Sequence, residues 1–323
     1  MRRLAMTIVM AFSLAAVVFM VSAQAQNYPA RPVKVIVGFA AGSGPDVLAR
    51  TVATQLGADL GQNFFIENRV GANGTIAIGN LLQSEADGHT LLFFSSSITP
   101  IPYVYKNLSF DILRDLAPIA TVGILDGYLM LVHPATPART VPEFIDYAKK
   151  NRVLYGTPGV GNILHLVTEV FRQKAGITME HIPYKGASEV QTALLGQNIT
   201  VMFVTPPSVI GVVKDGKLRA IGYSGQKPFP EFPDVPLIKD SLPGFSVSGS
   251  WGMFYASAKT PREIVDKLNA AVQRALAVPM VSNVTLRAGY IPDGRSAAQT
   301  AEFFRREVEA TGEAVRAAGL APN

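Results

Sequence analysis

The chain of 323 residues contains no cysteine, a single tryptophan and no run of basic residues. Without cysteine it can form no disulfide, no cysteine–zinc site and no thiol catalyst. Beyond the first 21 residues, no apolar stretch reaches the length needed to span a membrane. The net charge of +5 is modest and is not clustered. Nucleic acid is therefore excluded as a partner.

Catalytic, metal and cofactor motifs are missing as well. No G-x-S-x-G serine motif occurs, and the GVVKDGKL segment at 211–218 fails as a phosphate loop because Leu218 stands where Ser or Thr must hold magnesium. Gly42-Ser-Gly44 lacks the third glycine of a dinucleotide turn. The histidines form no His-x-His or HExxH pair; they are His89, His133, His165 and His181. The sequence predicts no enzyme, metal or cofactor.

The first 25 residues have the three parts of a secretory signal peptide. Arg2 and Arg3 precede an uncharged segment at 4–21, and a small-x-small Ala-Gln-Ala sequence ends at Ala25. The alternative is a retained membrane anchor, because the uncharged run is about 18 residues long. The cleavage site and the globular pattern from Tyr28 favour removal. We therefore predict export to the periplasm and a mature chain of 298 residues with a net charge of +3.

Segments typical of strands and helices alternate along the rest of the chain, which predicts an α/β fold with mainly parallel sheets. Strands are predicted at 33–37, 64–67, 89–94, 129–133, 153–155, 182–183, 200–204, 218–223 and 246–255. Capping-box spacing at Thr140, Thr260 and Ser296 predicts three helix starts. We expect one lobe to combine residues 26–122 with 251–323 and a second lobe to contain 123–250. The chain would cross between them at 119–126 and 247–255.

Two glycine-rich turns, one in each predicted lobe, follow strands and precede helices. The first contains Gly42 and Gly44, with Ser43 or Asp46 as the helix cap, and the second spans 156–161, with Asn162 as the cap. Such turns direct free N–H groups and a positive helix end outward, which suits a carboxylate or phosphate. The carboxyl ends of parallel strands are also where open α/β sheets bind ligands. The alternative is that each turn only changes the chain direction.

Several segments together resemble one protein family. They are YPARP (28–32), GFAAGSGPD (38–46), ENRVGANG (67–74), ADGHTLL (86–92), HIPYKG (181–186), LPGF (242–245) and AAGL (317–320). In this order they are similar to landmarks of the Bug, or TctC-like, substrate-binding proteins of tripartite tricarboxylate transporters. The resemblance covers essentially the whole predicted mature chain. It implies a two-lobed type II periplasmic-binding-protein (Venus flytrap) fold that binds small organic carboxylates.

The resemblance also implies which residues contact the ligand. In the family the first glycine turn holds a ligand carboxylate through backbone N–H groups and ordered water, and this maps to Phe39, Gly42, Ser43, Gly44 and Asp46. The loop after the third strand maps to Ser95, Ser96 and Ser97 and continues to Thr99. The second turn maps to Gly159, Gly161, Asn162 and His165. From the residues alone, His165 either faces a ligand or is a satisfied buried histidine, and the serines are hydroxyl donors or simply loop.

Departures from the family pattern bear on the ligand. Pro45 stands where members often have Thr or Ser, and Ile163 and Leu164 also replace commonly hydroxylated residues. Val204, followed by Thr205, replaces a frequent Asp. The resemblance therefore implies a less polar second wall and an aliphatic or aromatic acid rather than an amino or hydroxy acid.

The predicted function is that of a monomeric periplasmic solute-binding protein. It would close over an organic carboxylate and deliver it to the membrane subunits of a transporter, with no covalent step. One alternative is a component that supplies a sensor kinase or other signalling receptor. Another is a periplasmic enzyme on the same lobes, which the absent catalytic constellation disfavours.

Overall fold

The computed structural model of the chain describes residues 28–247 and 249–319. The predicted signal peptide and its cleavage site after Ala25 lie outside these residues. Across the two described ranges, no helix combines the length and the apolar character required to cross a bilayer.

The described residues form ten strands that belong to two sheets. The strands are β1 (Val33–Val37), β2 (Phe64–Asn68), β3 (Thr90–Ser95), β4 (Leu116–Leu125), β5 (Leu129–Val132), β6 (Leu154–Thr157), β7 (Glu180–Pro183), β8 (Val201–Val204), β9 (Arg219–Tyr223) and β10 (Ser250–Ser257). The first sheet has the order β2-β1-β3-β10-β4, and the second has the order β7-β6-β8-β5-β9. We call the halves built on these sheets the first lobe and the second lobe.

Each sheet has one strand that runs against the other four. In the first lobe, β10 pairs antiparallel with both β3 and β4, while β1 pairs parallel with β2 and β3. In the second lobe, β5 pairs antiparallel with both β8 and β9, while β6 pairs parallel with β7 and β8. Parallel neighbours need a crossover connection, usually a helix, and this explains the alternation of elements in the sequence.

Twelve helices lie between and beside the strands in the described part of the chain. They are α1 (Gly44–Leu60), α2 (Thr75–Leu82), α3 (Ile101–Val104), α4 (Ile112–Asp115), α5 (Val141–Ala148), α6 (Ile163–Ala175), α7 (Ala187–Leu195), α8 (Ile210–Lys214), α9 (Ile238–Ser241), α10 (Arg262–Ala277), α11 (Pro279–Arg287) and α12 (Ala297–Ala317). Single 3₁₀ turns occupy Ala72–Gly74, Ser96–Ile98 and Pro206–Ser208.

Of the three predicted capping boxes, one forms completely and one in part, because the Glu143 carboxylate accepts the amide of Arg139 rather than that of Thr140. Thr140 accepts the amide of Glu143 at the start of α5, and Ser296 forms a reciprocal box with Gln299 at the start of α12. The prediction for Thr260 is wrong. Helix α10 begins one residue later than predicted, with Pro261 at the N-cap position and no side-chain cap. Because Pro261 has non-helical φ/ψ angles, Thr260 lies one residue before the N-cap position and does not cap the first turn.

The strand β10 brings the chain back to the first lobe after the second lobe is complete. It inserts between β3 and β4, and Trp251, Met253 and Tyr255 on one of its faces join an apolar cluster with Ile36 and Phe304. Helices α10 and α12 then pack on β4. The predicted crossing at 119–126 lies largely inside β4, which continues to Leu125 before β5 starts at Leu129. The two sheets with their flanking helices agree with the predicted two-lobed α/β architecture, whereas the exact lobe boundaries stay predictions.

Candidate ligand site between the two lobes

The first glycine turn ends β1 and opens α1 at the edge of the first sheet. Gly42 has φ +79°, a left-handed conformation that favours glycine. A Cβ atom at Gly42 or Gly44 would meet no other atom within 4 Å, so the turn faces open space. The first N–H groups of a helix have no partner within it and attract negative charge. The turn therefore offers backbone donors at an accessible surface.

Neither predicted cap of α1 works as expected. Ser43 occupies the N-cap position, but its hydroxyl donates to the carbonyl of Ala40 instead of accepting from the helix. Asp46 points back at the turn, where its Oδ2 accepts the amide of Gly42 at 2.9 Å. The Asp46 carboxylate thus stabilises the turn through the amide of Gly42, and the Ser43 hydroxyl stabilises it through the carbonyl of Ala40.

Asp46 is the centre of a buried network. Its side chain is 1% exposed, and Oδ2 also accepts from Arg50 at 2.8 Å. The Nδ2 atom of Asn68 donates to Oδ1 of Asp46 at 2.7 Å and to the carbonyl of Phe39 at 2.9 Å. Burial by itself would raise the pKa of Asp46, but the hydrogen bonds from Arg50, Asn68 and Gly42 outweigh it and lower the pKa. Both oxygens of the Asp46 carboxylate therefore accept hydrogen bonds that stabilise the turn. Direct contact of Asp46 with a ligand stays a prediction.

The ring of Phe94, on β3, joins the first turn to a second loop of the same lobe. A Cβ atom at either Gly38 or Gly74 would lie 2.0 Å from a carbon of this ring. The half-buried Phe39 packs on the ring as well, with centroids 4.8 Å apart. Phe94 thus fixes the 3₁₀ turn at Ala72–Gly74 beside the carboxyl end of β1.

The serine-rich segment follows β3 as predicted and folds into the 3₁₀ turn Ser96–Ile98. Ser95 caps this turn by accepting the amide of Ser97, and the hydroxyl of Ser97 lies 3.1 Å from that of Ser95. Ser96 is buried and its hydroxyl lies 3.3 Å from that of Ser250 on β10. The side chain of Ser96 therefore lies in the interior of the first lobe, whereas that of Ser97 is only half-buried.

The second glycine turn is stabilised in the same way as the first, by a helix side chain that accepts a glycine amide. Asn162 accepts the amide of Leu164 and caps α6 as predicted. His165, four residues after Gly161, accepts the Gly161 amide on Nδ1 at 3.0 Å, just as Asp46 accepts the amide of Gly42. With this acceptor role the imidazole is neutral and carries its proton on Nε2. His165 is 5% exposed, which favours its role as a buried support of the turn.

His165 belongs to a stack of rings, in which Tyr155 is also buried and His181 half-buried, that the sequence did not predict. Its ring lies 4.0 Å from that of His181, with an interplanar angle of 12°, and Tyr155 stacks on His181 at 4.9 Å. His181 Nε2 lies 2.6 Å from the Thr157 hydroxyl. The Tyr155 hydroxyl donates to Glu169, which also forms a bidentate pair with Arg172.

The two histidines titrate below their ordinary range. Burial lowers the pKa of His165. Burial, followed by the positive charge that His165 acquires on protonation, lowers the pKa of His181 to about 4. Glu169 acts in the opposite direction on both but does not outweigh burial. The pKa of Glu169 is itself lowered, because hydrogen bonds from Arg172 and Tyr155 exceed the effect of its own burial.

We expect the free energy of unfolding to fall as the pH decreases from about 6.5 towards 4. Below pH 6.5 the unfolded chain binds protons at both histidines, whereas the folded chain binds them only at lower pH, at about 4 for His181, so acid favours unfolding. The slope should reach at most about 1.4 kcal/mol per pH unit for each histidine. Urea unfolding followed by circular dichroism at several pH values measures it. Carboxylates such as Glu169, whose pKa is lowered from 4.5, add to the fall as the pH approaches and passes 4.5.

A matched pair of variants isolates the stack. His181→Gln removes one titrating ring but retains a side-chain partner for Thr157, so the slope between pH 6.5 and 4 should become shallower. Asn151→Gln, which changes an exposed and non-titrating side chain of the same lobe, should leave the slope unchanged. Equal slopes in all three proteins would show that the stacked histidines do not determine how the free energy of unfolding falls between pH 6.5 and 4.

The predicted apolar wall is built from buried side chains. Ile163 and Leu164 begin α6 and are 9% and 8% exposed, and both join one apolar cluster. Val204 ends β8, opposite Leu129 of β5, and is 5% exposed. Thr205 is half-buried, and its carbonyl accepts the Ser208 hydroxyl at 2.8 Å. Whether these residues touch a ligand stays a prediction.

Sequence reasoning missed Asn73, a residue whose side chain bonds directly across the two lobes. Its Nδ2 donates to the carbonyl of Val160 in the second glycine turn at 2.8 Å and to the hydroxyl of Tyr105 at 2.8 Å. One sequence signal was available: Asn73 lies between Gly71 and Gly74, and asparagine is one of the few residues that tolerate a positive φ, here +50°. Within the described residues, no group of three or more potential metal ligands is found.

Comparison with known proteins agrees with this architecture. A family model described as tripartite tricarboxylate transporter family receptor, TctC, matches residues 48–320. The chain is 32% identical over 302 residues to protein BugT of Bordetella pertussis, with 91% of each chain covered. An R. palustris protein solved with adipate superposes with a TM-score of 0.86 at 28% identity, covering 92% of this chain and 100% of that one. MatC from Rhodopseudomonas palustris, with bound malate, gives 0.81 at 27% identity, covering 89% and 100%.

Proposed function

The chain belongs to the TctC family of tripartite tricarboxylate transporter receptors, and we propose that it captures a small dicarboxylate and delivers it to membrane subunits of such a transporter. The family consists of periplasmic binding proteins. We further propose that residues 1–25 direct export and are removed after Ala25. Binding, closure of the lobes and release would constitute the whole mechanism, without catalysis.

The observation that carries the proposal is the first glycine turn. Its amides lie at the positive end of α1, a helix of 17 residues, and the space in front of Gly42 and Gly44 is open. Asp46, Arg50 and Asn68 hold the turn from behind. The Gly42 and Ser43 amides are already bonded within the turn, and Pro45 has no N–H. A carboxylate placed there would therefore receive the N–H groups of Gly44 and Asp46, without having to reorganise the protein. One end of the ligand is therefore assigned to the first lobe.

The part of the ligand between its carboxylates would meet the second lobe, where Ile163, Leu164 and Val204 supply apolar side chains. Burying hydroxyl or ammonium groups beside such residues without partners is unfavourable. The solved relatives hold adipate, with an apolar chain, and malate, with a hydroxyl group. We propose that this chain prefers the unsubstituted, adipate-like type of acid.

A thermal-shift screen of mono-, di- and aromatic carboxylates tests both parts of the proposal. A ligand at about 100 times its dissociation constant adds about 2.7 kcal/mol of stability and raises the unfolding midpoint by several degrees. Adipate should raise the midpoint more than malate at equal concentration, and adipamide, which lacks both charges, should have no effect. If no carboxylate changes the midpoint at millimolar concentration, the proposal fails. If malate exceeds adipate, only the apolar-wall part fails.

A further inference from the structure

We propose that the second glycine turn is the closing contact between the lobes, held by Asn73, and that of the two turns only the first takes a ligand carboxylate. The ligand assignment rests on the proposed function, whereas the closing contact does not. The two turns look alike in sequence, but their surroundings in the structure differ.

The difference lies in what faces the glycines. Added Cβ atoms at Gly42 and Gly44 would meet nothing within 4 Å. A Cβ atom at Gly159 would lie 3.1 Å from the Oδ1 atom of Asn73, and one at Gly161 would lie 2.5 Å from Val104. Asn73 and Val104 both precede β4 and belong to the first lobe. The glycines of the second turn therefore make room for the opposite lobe, and little space is left there for a ligand.

Asn73 supplies the directional part of this contact. The carbonyl of Val160 can only accept a hydrogen bond, so the amide nitrogen must face it. The second N–H of the same amide donates to Tyr105, which orients the side chain from within the first lobe. One side chain thus bonds to both lobes at once. The bond to Val160 can exist only while the lobes are in contact.

The remainder of the contact is apolar. Val104 lies in one cluster with Ile163 and Leu164 at the start of α6, and Val315, near the end of α12, joins the same cluster. Apolar surfaces of this kind favour closure but hardly select one relative position of the lobes. The Asn73 bond selects the position in which Val160 meets the first lobe.

Any ligand that requires the closed state loses apparent affinity in proportion to the closed fraction. Removal of the Asn73 bond should therefore weaken binding of different acids by the same factor, roughly three- to tenfold, or about 0.7 to 1.4 kcal/mol. A residue that touches the ligand would instead affect different acids differently. This contrast separates a closing contact from a binding contact.

Calorimetric titration with adipate and with malate tests the inference in three variants. Asn73→Gly keeps the positive φ and removes the amide, while Asn73→Asp places an oxygen opposite the Val160 carbonyl and should weaken binding further. Asn80→Asp is the control, because the Asn80 amide bonds only to the Ile76 carbonyl of its own helix. Unchanged affinity in Asn73→Gly, or loss of one acid but not the other, would overturn the inference.

A second measurement needs no ligand. Because the chain has no cysteine, spin labels at Ala58→Cys on α1 and Ala187→Cys on α7 report the distance between the lobes. We expect a closed population in the unliganded protein, since Asn73 and Val104 reach the second turn directly, and we expect Asn73→Gly to reduce it. Absence of a closed population, or identical distance distributions in both proteins, would contradict the closing contact even if no carboxylate binds.

Discussion

Gly44→Val is expected to weaken carboxylate binding at least a hundredfold while the protein still folds cooperatively. Gly44 is the first residue of α1, lies at the surface and has no neighbour within 4 Å of an added Cβ atom. A valine side chain would fit here without a clash, but it would block a carboxylate from reaching the amides at the start of the helix. Loss of a hundredfold corresponds to about 2.7 kcal/mol of binding free energy.

Calorimetry with the most stabilising acid, together with urea unfolding, measures both effects of Gly44→Val. Gly79→Val is the matched control. Gly79 lies within α2 of the same lobe and also has open space at its Cβ position. The control should bind normally and keep its stability or gain a few tenths of a kcal/mol, because valine is a better helix former than glycine. If Gly44→Val binds like the wild type, the first turn has only a structural role.

Asp46→Asn is expected to lower the free energy of unfolding by about 2 to 3 kcal/mol and to weaken ligand binding as well. The 1%-exposed carboxylate accepts from Gly42, Arg50 and Asn68. An amide has a single acceptor oxygen, so its NH₂ group must face at least one of these donors. The expected loss of stability corresponds to one buried charge-assisted hydrogen bond. It is smaller than for a fully buried ion pair because Arg50 is half-exposed to water. The Gly42 amide then loses its anchor.

The pH dependence of the Asp46 variant provides an independent check. Because the folded-state pKa of Asp46 is lowered from 3.8, its contribution is present above that value and is lost as the pH falls through the folded pKa. The stability difference between wild type and Asp46→Asn should therefore shrink in strong acid. Asp59→Asn, near the end of the same helix and bonded only to Gln55, should cost little at any pH. Wild-type stability and affinity in Asp46→Asn would show that the network does not support the turn.

The two glycine turns share one design for holding a loop against a helix. In each, a side chain in the first turn of the helix reaches back four residues and accepts a glycine amide, Asp46 in the first and His165 in the second. The acceptors differ in charge, and this difference has a consequence. Asp46 remains an acceptor down to strong acid, whereas His165 ceases to accept once its ring is protonated. Acid is therefore expected to loosen the second turn before the first.

The local elements of this protein were determined by the sequence alone. Strand–turn–helix units, the Asn162 cap and the Ser296 capping box depend on residues within a few positions of one another, so periodicity and side-chain chemistry are sufficient to predict them. The absence of cysteine and of catalytic motifs was equally visible in the sequence, and a two-lobed α/β fold followed from the order of elements and the family resemblance.

Only the tertiary structure decided which residues meet across long separations. Asn68 reaches Asp46 over 22 positions, Asn73 reaches Val160 over 87, and Ser96 reaches Ser250 over 154. No local pattern encodes such pairs, because each depends on how the sheets place their strand ends. For the same reason two similar glycine turns have different surroundings: packing leaves the first open to solvent and presses the second against Asn73 and Val104.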